Sequence, residues 1–244
     1  LMNILCVIPA RAESSRFFEK PLALIKGKPM LQWVYEHCRE VEAFTDVVVA
    51  TDSDRIKDAA RSFGATVVMT SSRHDTATER LYEVSTKIDA DLYVMVNGDE
   101  PLLTKEAIVQ CIPPHIPGGE IYVSNLMTDF SNPVEVVDST NLKIVTAVDH
   151  RCLFISRSPI PYPKGSLDVI YHKFVGVGAF NREALEFYHT TPRGPIEKVE
   201  ENDSFRFLEN HVPIYYYNCH CKSLSVDTRK DIEGVEAYLD SMGL

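Results

Sequence analysis

The sequence predicts an α/β fold whose first hundred residues form a parallel sheet and whose second half is more mixed. Short runs of apolar residues alternate there with segments whose apolar residues recur at helical spacing. Strands separated by helices of this length indicate β–α–β units, with helices on both faces of the sheet. The 244 residues are enough for one large domain, or for one domain with a substantial insertion.

Each element of the first half follows from a local pattern. The apolar run Asn3–Ile8 predicts a buried strand, and the apolar spacing within Pro29–Val41 predicts a helix. Asp52 or Ser53 is a suitable N-cap for a second helix that runs to about Phe63. The remaining predicted elements of this half are strands at Asp46–Thr51, Ala65–Met69 and Asp91–Asn97 and a helix at Thr76–Ile88.

The second half changes character after the turn-rich connector Ile112–Gly119, which holds three prolines and two glycines. Predicted strands follow with short turns between some of them, which favours an antiparallel or mixed subdomain. The predicted strands are Glu120–Met127, Leu142–Val148, Cys152–Arg157, Phe174–Phe180 and Ile214–Cys219, and the predicted helices are Arg182–His189 and Arg229–Met242.

Composition excludes several classes of function. The formal net charge is -10, from 25 basic and 35 acidic residues, which argues against general affinity for nucleic acid or anionic membranes. No apolar run approaches the roughly 18 residues of a membrane span, and the N-terminus has no signal-peptide pattern. The six cysteines are scattered, so we expect buried thiols in a reducing compartment and a cytoplasmic protein. Cys219-His220-Cys221 has no second ligand pair at the spacing of a zinc site.

The first strand runs into the loop Pro9–Leu22, which carries three cations and two serines, Arg11, Arg16, Lys20, Ser14 and Ser15. In open α/β sheets, ligands bind at the carboxyl ends of strands. A polyphosphate requires several charge-assisted donors, and arginine and lysine supply them. A solvated surface loop is the alternative, and spacing alone leaves the two interpretations about even.

Three further segments have both a functional and a structural interpretation. Asp99 directly follows a predicted buried strand, where a carboxylate can hold a divalent cation against phosphates, but a Gly-Asp turn gives the same pattern. Asp227 or Thr228 could cap the last helix. Thr76–Arg80 could be no more than the first turn of a helix.

Taken together, these segments resemble the CMP-KDO synthetases (3-deoxy-manno-octulosonate cytidylyltransferases) over nearly the whole chain. The resemblance rests on Pro9-Ala10-Arg11, Ser15-Arg16, Lys20-Pro21-Leu22, Gly27-Lys28-Pro29-Met30, Ala50-Thr51-Asp52, Thr78-Glu79-Arg80, Gly98-Asp99-Glu100-Pro101, Ser156-Arg157, Ile160-Pro161 and Val226-Asp227-Thr228. The chain lacks the Gly-Gly-x-Gly-x-Arg loop of other nucleotidyltransferases.

The resemblance implies a Rossmann-like nucleotide-binding sheet of the nucleotide-diphospho-sugar transferase type, with a smaller mixed α+β dimerisation subdomain. One nucleotidyltransferase domain would then cover 1–244, and its part at about 120–180 would serve dimerisation and acceptor binding. It further implies a homodimer that transfers CMP from CTP to an anionic acceptor, with Mg²⁺ as cofactor and pyrophosphate as product.

Residue roles are also carried over from the resemblance. It implies catalytic roles for Arg11, Lys20, Asp99 and Asp227, of which the two aspartates would hold Mg²⁺. CTP would meet Pro9, Ala10, Arg11, Ser15, Arg16, Lys20, Thr78, Gly98 and Asp99. The acceptor would meet Arg80, Asn97, His172, Asp203 and Ser204.

The chain departs from the family pattern mainly on the acceptor side. Phe174 and Gly178 replace a family His and Tyr, Asp203-Ser204 replaces Glu-Gln, and Asn97 replaces Gln. Glu19 stands where the family has Gly. A ligand binds more weakly when buried polar groups of the ligand or the site are left without hydrogen-bond partners. These changes therefore predict an altered acceptor and predict that KDO is a poor substrate. Family drift with KDO still bound is the alternative.

Other functions remain open at this point. The acceptor could be KDO, a related ulosonic acid, or a small phosphate- or phosphonate-bearing acid. The nucleotide could be UTP, and a non-catalytic CTP-binding sensor is a more distant alternative. The presence of both Asp99 and Asp227 favours catalysis over sensing, because they are placed for a metal and not for base recognition.

Overall fold

The structure is a computed structural model that describes residues 2–12, 17–116 and 118–243. Its strands are β1 Ile4–Ala10, β2 Leu24–Ile25, β3 Lys28–Pro29, β4 Asp46–Thr51, β5 Thr66–Met69, β6 Leu92–Val96, β7 Val123–Asp129, β8 Lys143–Thr146, β9 Cys152–Ser156, β10 His172–Phe180 and β11 Tyr215–Asn218. Its α-helices are α1 Met30–Arg39, α2 Asp54–Ser62, α3 Ala77–Ser85, α4 Lys105–Ile108, α5 Pro133–Val137, α6 Arg182–Thr190, α7 Pro195–Glu200, α8 Phe205–Leu208 and α9 Arg229–Ser241.

One large sheet organises these elements, in the order β11-β7-β10-β6-β1-β4-β5. The pairs β6–β1, β1–β4 and β4–β5 are parallel, as predicted for the first half. Strand β10 runs antiparallel to both β6 and β7, and β8 and β9 extend the sheet beside β10. The predicted α/β fold with a mixed second part is therefore confirmed.

The core lies on both faces of the sheet, as alternation of side chains along a strand requires. Within β1, Cys6 and Ile8 pack with α1 on one face, and Leu5 and Val7 pack with the α3 side on the other. A third, smaller cluster joins α9 to the segment around Ile25 and Met30. Burial on both faces explains why β1 and β6 read as unbroken apolar runs.

Local signals placed the main helices correctly and missed the short ones. Ser53 caps α2 by accepting a hydrogen bond from the amide of Ile56, and β4 has the predicted bounds. Helices α4, α5, α7 and α8 have four to six residues. Such short segments do not complete the periodic pattern on which the prediction depends.

The expectation of six free thiols is wrong. Cys219 and Cys221 form a disulfide, because the left-handed backbone of His220 (φ 46°) turns the chain and brings their Cα atoms to 5.2 Å. Cys6, Cys38 and Cys111 are buried free thiols, as predicted, and Cys152 is a half-buried one. The helices described here include none that is both long and apolar enough to span a bilayer.

Candidate active site

A cavity of about 300 Å³ lies at the carboxyl ends of β1 and β6. Parallel strands bring the segments that follow them to one edge of the sheet, which is why the loops after these two strands meet here. We call it the first cavity, and it is lined by Pro9, Ala10, Arg11, Lys20, Pro21, Met30, His74, Asp75, Thr76, Ala77, Arg80, Asn97, Gly98, Asp99 and Asp227.

The charged centre of the first cavity is Lys20 between two carboxylates. Its ammonium donates to Asp99 Oδ2 at 2.7 Å and lies 3.6 Å from Asp227 Oδ1. The side chains of Lys20, Asp99 and Asp227 are 15, 23 and 39% exposed, so the cluster is accessible from the cavity. The carboxylates of Asp99 and Asp227, which are 128 positions apart in the sequence, thus both lie next to the Lys20 ammonium.

Backbone contacts fix this convergence. The amide of Val226 donates to the carbonyl oxygen of Asp99 at 2.9 Å, which joins the segment before α9 to the loop after β6. Thr228 and Asp231 form the capping box of α9, and the Asp227 amide also donates to Asp231. Thr228 therefore caps the helix, and the Asp227 side chain is directed at Lys20 instead.

Close packing at Gly98 also shapes the first cavity. A Cβ atom there would lie 3.2 Å from the Pro9 carbonyl oxygen, so the loops after β1 and β6 approach closely because this residue is glycine. Just before Lys20, Glu19 has a left-handed backbone (φ 51°), which accounts for the glycine that the family has there. Its carboxylate is held by Arg55 at 2.8 Å.

A second cavity of about 400 Å³ adjoins the first, and Asn97, Asp99 and Asp227 line both. Its other walls are Glu100, Glu135, Thr140, Asn141, Leu142, Lys173, Phe174, Gly176, Ser223, Leu224, Ser225, Thr228 and Asp231. The aspartate pair thus lies at the junction of two cavities. This arrangement can hold two different molecules with their reacting groups next to the same pair of carboxylates.

Buried polar groups support the walls of the second cavity. The Lys143 ammonium is fully buried and donates to the carbonyl oxygens of Asp138, Asn141 and Arg157, which fixes the loop that carries Thr140–Leu142. Glu100 is also buried and accepts from Ser223 Oγ and the Gly176 amide. Burial and the neighbouring charge of Asp99 raise the pKa of Glu100 to about 7.

Asn97 separates the cavities and has an unsatisfied acceptor. The backbone N–H of Asn97 donates to the carbonyl oxygen of Gly176 at 2.7 Å. Its side-chain Oδ1 is buried and has no hydrogen-bond partner among the described atoms. Buried acceptors without a partner are rare in native proteins.

Gly176 packs closely against the side chains of Asn97 and Glu100 because it has no side chain of its own. A Cβ atom there would lie 2.8–2.9 Å from Asn97 side-chain atoms and 3.0 Å from Glu100 Cγ. We expect Gly176→Ala to displace both side chains and to lower the free energy of unfolding by about 1–3 kcal/mol. Gly165→Ala is the matched control, because its Cβ would meet nothing within 4 Å. Urea unfolding measures both variants, and equal free energies of unfolding would contradict the close packing at Gly176.

Arg80 is buried on the first-cavity side. Its guanidinium donates to Asp52 Oδ2 at 3.0 Å and to Thr70 Oγ1. It also lines a third cavity of about 370 Å³, together with Arg11 and His74, but it does not line the second cavity. Its charge is therefore already matched by Asp52.

His74 is a wall residue that the sequence motifs did not single out. It lines the first and third cavities, and its Nε2 lies 2.5 Å from Glu83 Oε2. Burial raises the pKa of Glu83, but hydrogen bonds from Lys87, the Ser71 amide and His74 outweigh it and lower that pKa to about 2. The carboxylate of Glu83 thus orients the imidazole on the cavity wall.

The lowered pKa of Glu83 predicts a pH-dependent stability. A depressed carboxyl pKa contributes stability that is present above the unfolded value of about 4.5 and is lost as the pH falls towards about 2. Glu83→Gln should therefore cost about 2 kcal/mol at pH 7, and the difference from the native protein should shrink between pH 4.5 and pH 2. Urea unfolding at several pH values measures this, and a pH-independent difference would show that the charge of Glu83 does not matter.

Several residues expected in the site lie away from the cavity walls. Thr78 is buried and donates to Asp203 at 2.6 Å, and Ser204 is buried near Tyr216. The polar groups of Thr78, Asp203 and Ser204 therefore make contacts in the interior next to α3 and α8. None of these three residues lines any of the three cavities. His172 lines none of them either, and its Nδ1 lies 2.9 Å from Asp129. Ser15 and Arg16 lie outside the described residues.

The departures from the family pattern are likewise dispersed. Phe174 lines the second cavity, but Gly178 does not. A Cβ atom at Gly178 would lie 2.4 Å from Asn125 Oδ1, so the cross-strand asparagine occupies the space of a larger side chain. Of the five replaced positions on the acceptor side, Asn97 and Phe174 thus line the second cavity, whereas Gly178, Asp203 and Ser204 line none of the three cavities.

The aspartate pair fits a hard divalent cation. Carboxylate oxygens are the protein ligands that Mg²⁺ prefers, and it commonly takes one or two of them and completes its shell with phosphate oxygens and water. Asp99 and Asp227 already face one positive charge, the Lys20 ammonium. The described residues contain no group of three or more His, Cys, Asp or Glu suited to a metal, so further ligands would come from substrate and water.

Comparison with known proteins gives a consistent set of relatives. A family model described as cytidylyltransferase matches residues 5–237. The 3-deoxy-manno-octulosonate cytidylyltransferase of Solibacter usitatus is 39% identical over 96% of this chain and 93% of its own length. The 8-amino-3,8-dideoxy-manno-octulosonate cytidylyltransferase of Shewanella piezotolerans is 37% identical over 98 and 99%. A solved CMP:2-keto-3-deoxy-manno-octonic acid synthetase complexed with CTP superposes with a TM-score of 0.91 at 33% identity, covering 98% of this chain and 99% of that one.

Proposed function

Because this chain belongs to the 3-deoxy-manno-octulosonate cytidylyltransferase family, we propose that it transfers CMP from CTP to an octulosonate-type sugar acid, with Mg²⁺ as cofactor and pyrophosphate as the second product. The chain is a CTP-dependent cytidylyltransferase. The observation that carries the finer proposal is the Asp99–Asp227 pair at the junction of two cavities.

The first cavity is suited to CTP. Arg11 and Lys20 provide positive charge for the phosphates, and Arg16 is proposed to add to it. The backbone of Pro9, Ala10 and Gly98 lines the same wall, where it can approach a nucleotide closely. His74 and Thr76 lie on this wall and offer side-chain partners for the polar edge of the base.

The second cavity is suited to the acceptor. An acceptor hydroxyl that reaches the junction would lie beside Asp99 and Asp227, opposite the pyrophosphate leaving group. Asn97 lines this cavity next to Asp99 and is proposed to contact the acceptor there. Phe174 and Leu142 form an apolar part of its wall.

Catalysis in this site is mainly positioning and charge neutralisation. Lys20 binds the phosphates. In doing so it exchanges its contacts with Asp99 and Asp227 for contacts with phosphate oxygens, which leaves the two carboxylates available for a divalent cation. A bound divalent cation would neutralise charge at the α-phosphate and lower the pKa of the attacking hydroxyl. As the new phosphorus–oxygen bond forms and pyrophosphate leaves, the hydroxyl proton would pass to the carboxylate of Asp99 or Asp227 or to water, so no histidine base is required.

The proposed acceptor is based on the names of two relatives and on the residues that line the second cavity. The relatives named above act, by their names, on 3-deoxy-manno-octulosonate and on its 8-amino analogue. Since three of the five replaced positions on the acceptor side lie away from the cavity walls, an octulosonate is favoured over a small phosphate- or phosphonate-bearing acid. Pyrophosphate release with CTP, UTP, ATP and GTP against these acids tests the assignment. Release that requires CTP and an octulosonate is expected, and release with a phosphonate acid alone would overturn the choice of acceptor.

Self-association is proposed for the face around β9. β9 pairs with β8 alone and is an edge strand, and its Leu153 is 61% exposed. The following segment adds Tyr162 and Leu167, which are 85 and 89% exposed. Exposed apolar groups of this extent commonly mark interfaces. Strand β7, the other strand expected to take part, lies inside the sheet and is buried.

We expect a homodimer with a solution mass near twice 27.5 kDa, because two-fold dimers are the commonest soluble oligomers. Light scattering after gel filtration measures it. Leu153→Glu should shift the mass towards the monomer, and Met242→Glu, which changes an equally exposed apolar residue outside this face, is the control for the added charge alone. A monomeric mass of the native protein at micromolar concentration would contradict the proposal.

A further inference from the structure

The second cavity is strongly acidic, although its proposed ligand is an acid. Five carboxylates lie on its walls, from Asp99, Glu100, Glu135, Asp227 and Asp231. Of the described residues that line it, Lys173 alone is basic. Asp99 and Asp227 face the Lys20 ammonium, but Lys20 lines the first cavity and not the second. An entering carboxylate therefore meets Lys173 as the basic group on the walls of the second cavity, and opposite charges at close range in a partly buried site favour each other.

Lys173 is held at the wall and retains capacity for a ligand. Its side chain is 14% exposed, and its ammonium donates to the Ser223 carbonyl oxygen at 3.0 Å. Its contact with Glu135 is 3.4 Å long, and the Glu135 side chain is 31% exposed. A lysine ammonium has three donors, and these contacts engage two of them, one at the outer limit of a hydrogen bond.

Arg80, which the sequence suggested for this task, is placed differently. Its guanidinium is matched by Asp52 and Thr70, and it lines the first and third cavities only. An acceptor in the second cavity would therefore meet the ammonium of Lys173 and not the guanidinium of Arg80.

We propose that Lys173 is the residue that binds the carboxylate of the acceptor and thereby selects an acid for the second cavity. This inference rests on the proposed function, and it identifies Lys173 as the residue that recognises the negative charge of the acceptor. The Ser223 carbonyl and Glu135 fix the ammonium at the wall, and the acceptor carboxylate takes the donor that they leave.

The test compares an acid with its uncharged analogue in native and variant enzymes. With 3-deoxy-manno-octulosonate as acceptor, Lys173→Met should raise the acceptor KM roughly 10- to 100-fold, the range for a hydrogen bond to a charged group, with the KM of CTP nearly unchanged. With the C1 carboxamide of the same sugar, native enzyme and Lys173→Met should differ by less than about 3-fold, because the charge that Lys173 reads is absent. Lys173→Arg should recover part of the preference for the acid.

Lys222→Met is the matched control, because Lys222 is exposed and does not line the cavity. An equal loss on acid and carboxamide, or no change in the acceptor KM, would overturn the role of Lys173. If Lys173→Met does not fold, Lys173→Gln takes its place, since it also removes the charge, and an acid-to-carboxamide ratio equal to that of the native enzyme would overturn the role. The proposed function fails separately, through absence of CMP transfer to the acid by the native enzyme.

Discussion

Asp227→Asn should lower the rate of CMP transfer roughly 10²- to 10³-fold, the range seen when one preorganised electrostatic group is removed from an active site. The carboxylate lies at the junction of the two cavities, 3.6 Å from the Lys20 ammonium. Asparagine keeps the size of the side chain and removes its charge. The capping box of Thr228 and Asp231 and the Val226–Asp99 backbone bond do not involve the Asp227 side chain, so the fold should survive.

Asp99→Asn should have an effect of the same size, because Asp99 is the other half of the pair. Steady-state rates at saturating CTP, acceptor and Mg²⁺ measure both variants, and circular dichroism checks the fold. Asp168→Asn, an exposed aspartate outside the cavities, controls for the loss of one negative charge. Near-native turnover in both site variants would contradict the assignment of this pair to the reaction.

Lys20→Met should lower kcat/KM for CTP roughly 10- to 150-fold, which corresponds to the 1.5–3 kcal/mol of a charge-assisted contact. Two effects combine here, since the variant loses a phosphate ligand and also loses the ammonium that Asp99 and Asp227 both face. Like charges disfavour each other in a partly buried site. The Mg²⁺ concentration for half-maximal rate should therefore not rise, because the ammonium no longer competes for the carboxylates.

Initial rates over a matrix of CTP and Mg²⁺ concentrations separate these effects. Lys28→Met serves as the control, because Lys28 pairs with Glu36 and lines none of the cavities. If Lys20→Met keeps native kcat/KM for CTP, the loop after β1 does not bind the phosphates. The nucleotide would then need a different site.

The sequence was sufficient for the parallel half of the fold. The family resemblance predicts that Asp99 and Asp227 act together, and the structure brings both to Lys20. Asp99 follows β6 at the edge of the sheet where the carboxyl ends of the parallel strands meet, and the Val226–Asp99 backbone hydrogen bond joins the segment of Asp227 to it. The bounds of β4 were likewise readable, because a buried parallel strand is a continuous apolar run.

The acceptor side could not be read in the same way. Thr78 and Asp203 were expected on a ligand surface, but each satisfies the other's hydrogen bond in the interior. Lys173 carried no motif, and its role depends on contacts with Ser223 and Glu135, which are distant in sequence. Such placement is decided by tertiary packing, and a single sequence gives no periodic or local signal for it.

The direct test of the account is ³¹P NMR of a reaction that contains the native enzyme, CTP, 3-deoxy-manno-octulosonate and Mg²⁺. The account predicts that the CTP resonances are replaced by a CMP diester and pyrophosphate in equal amounts, and that Asp227→Asn forms neither product in the same time. Hydrolysis of CTP without a CMP diester, or formation of the diester at an equal rate by Asp227→Asn, would contradict it.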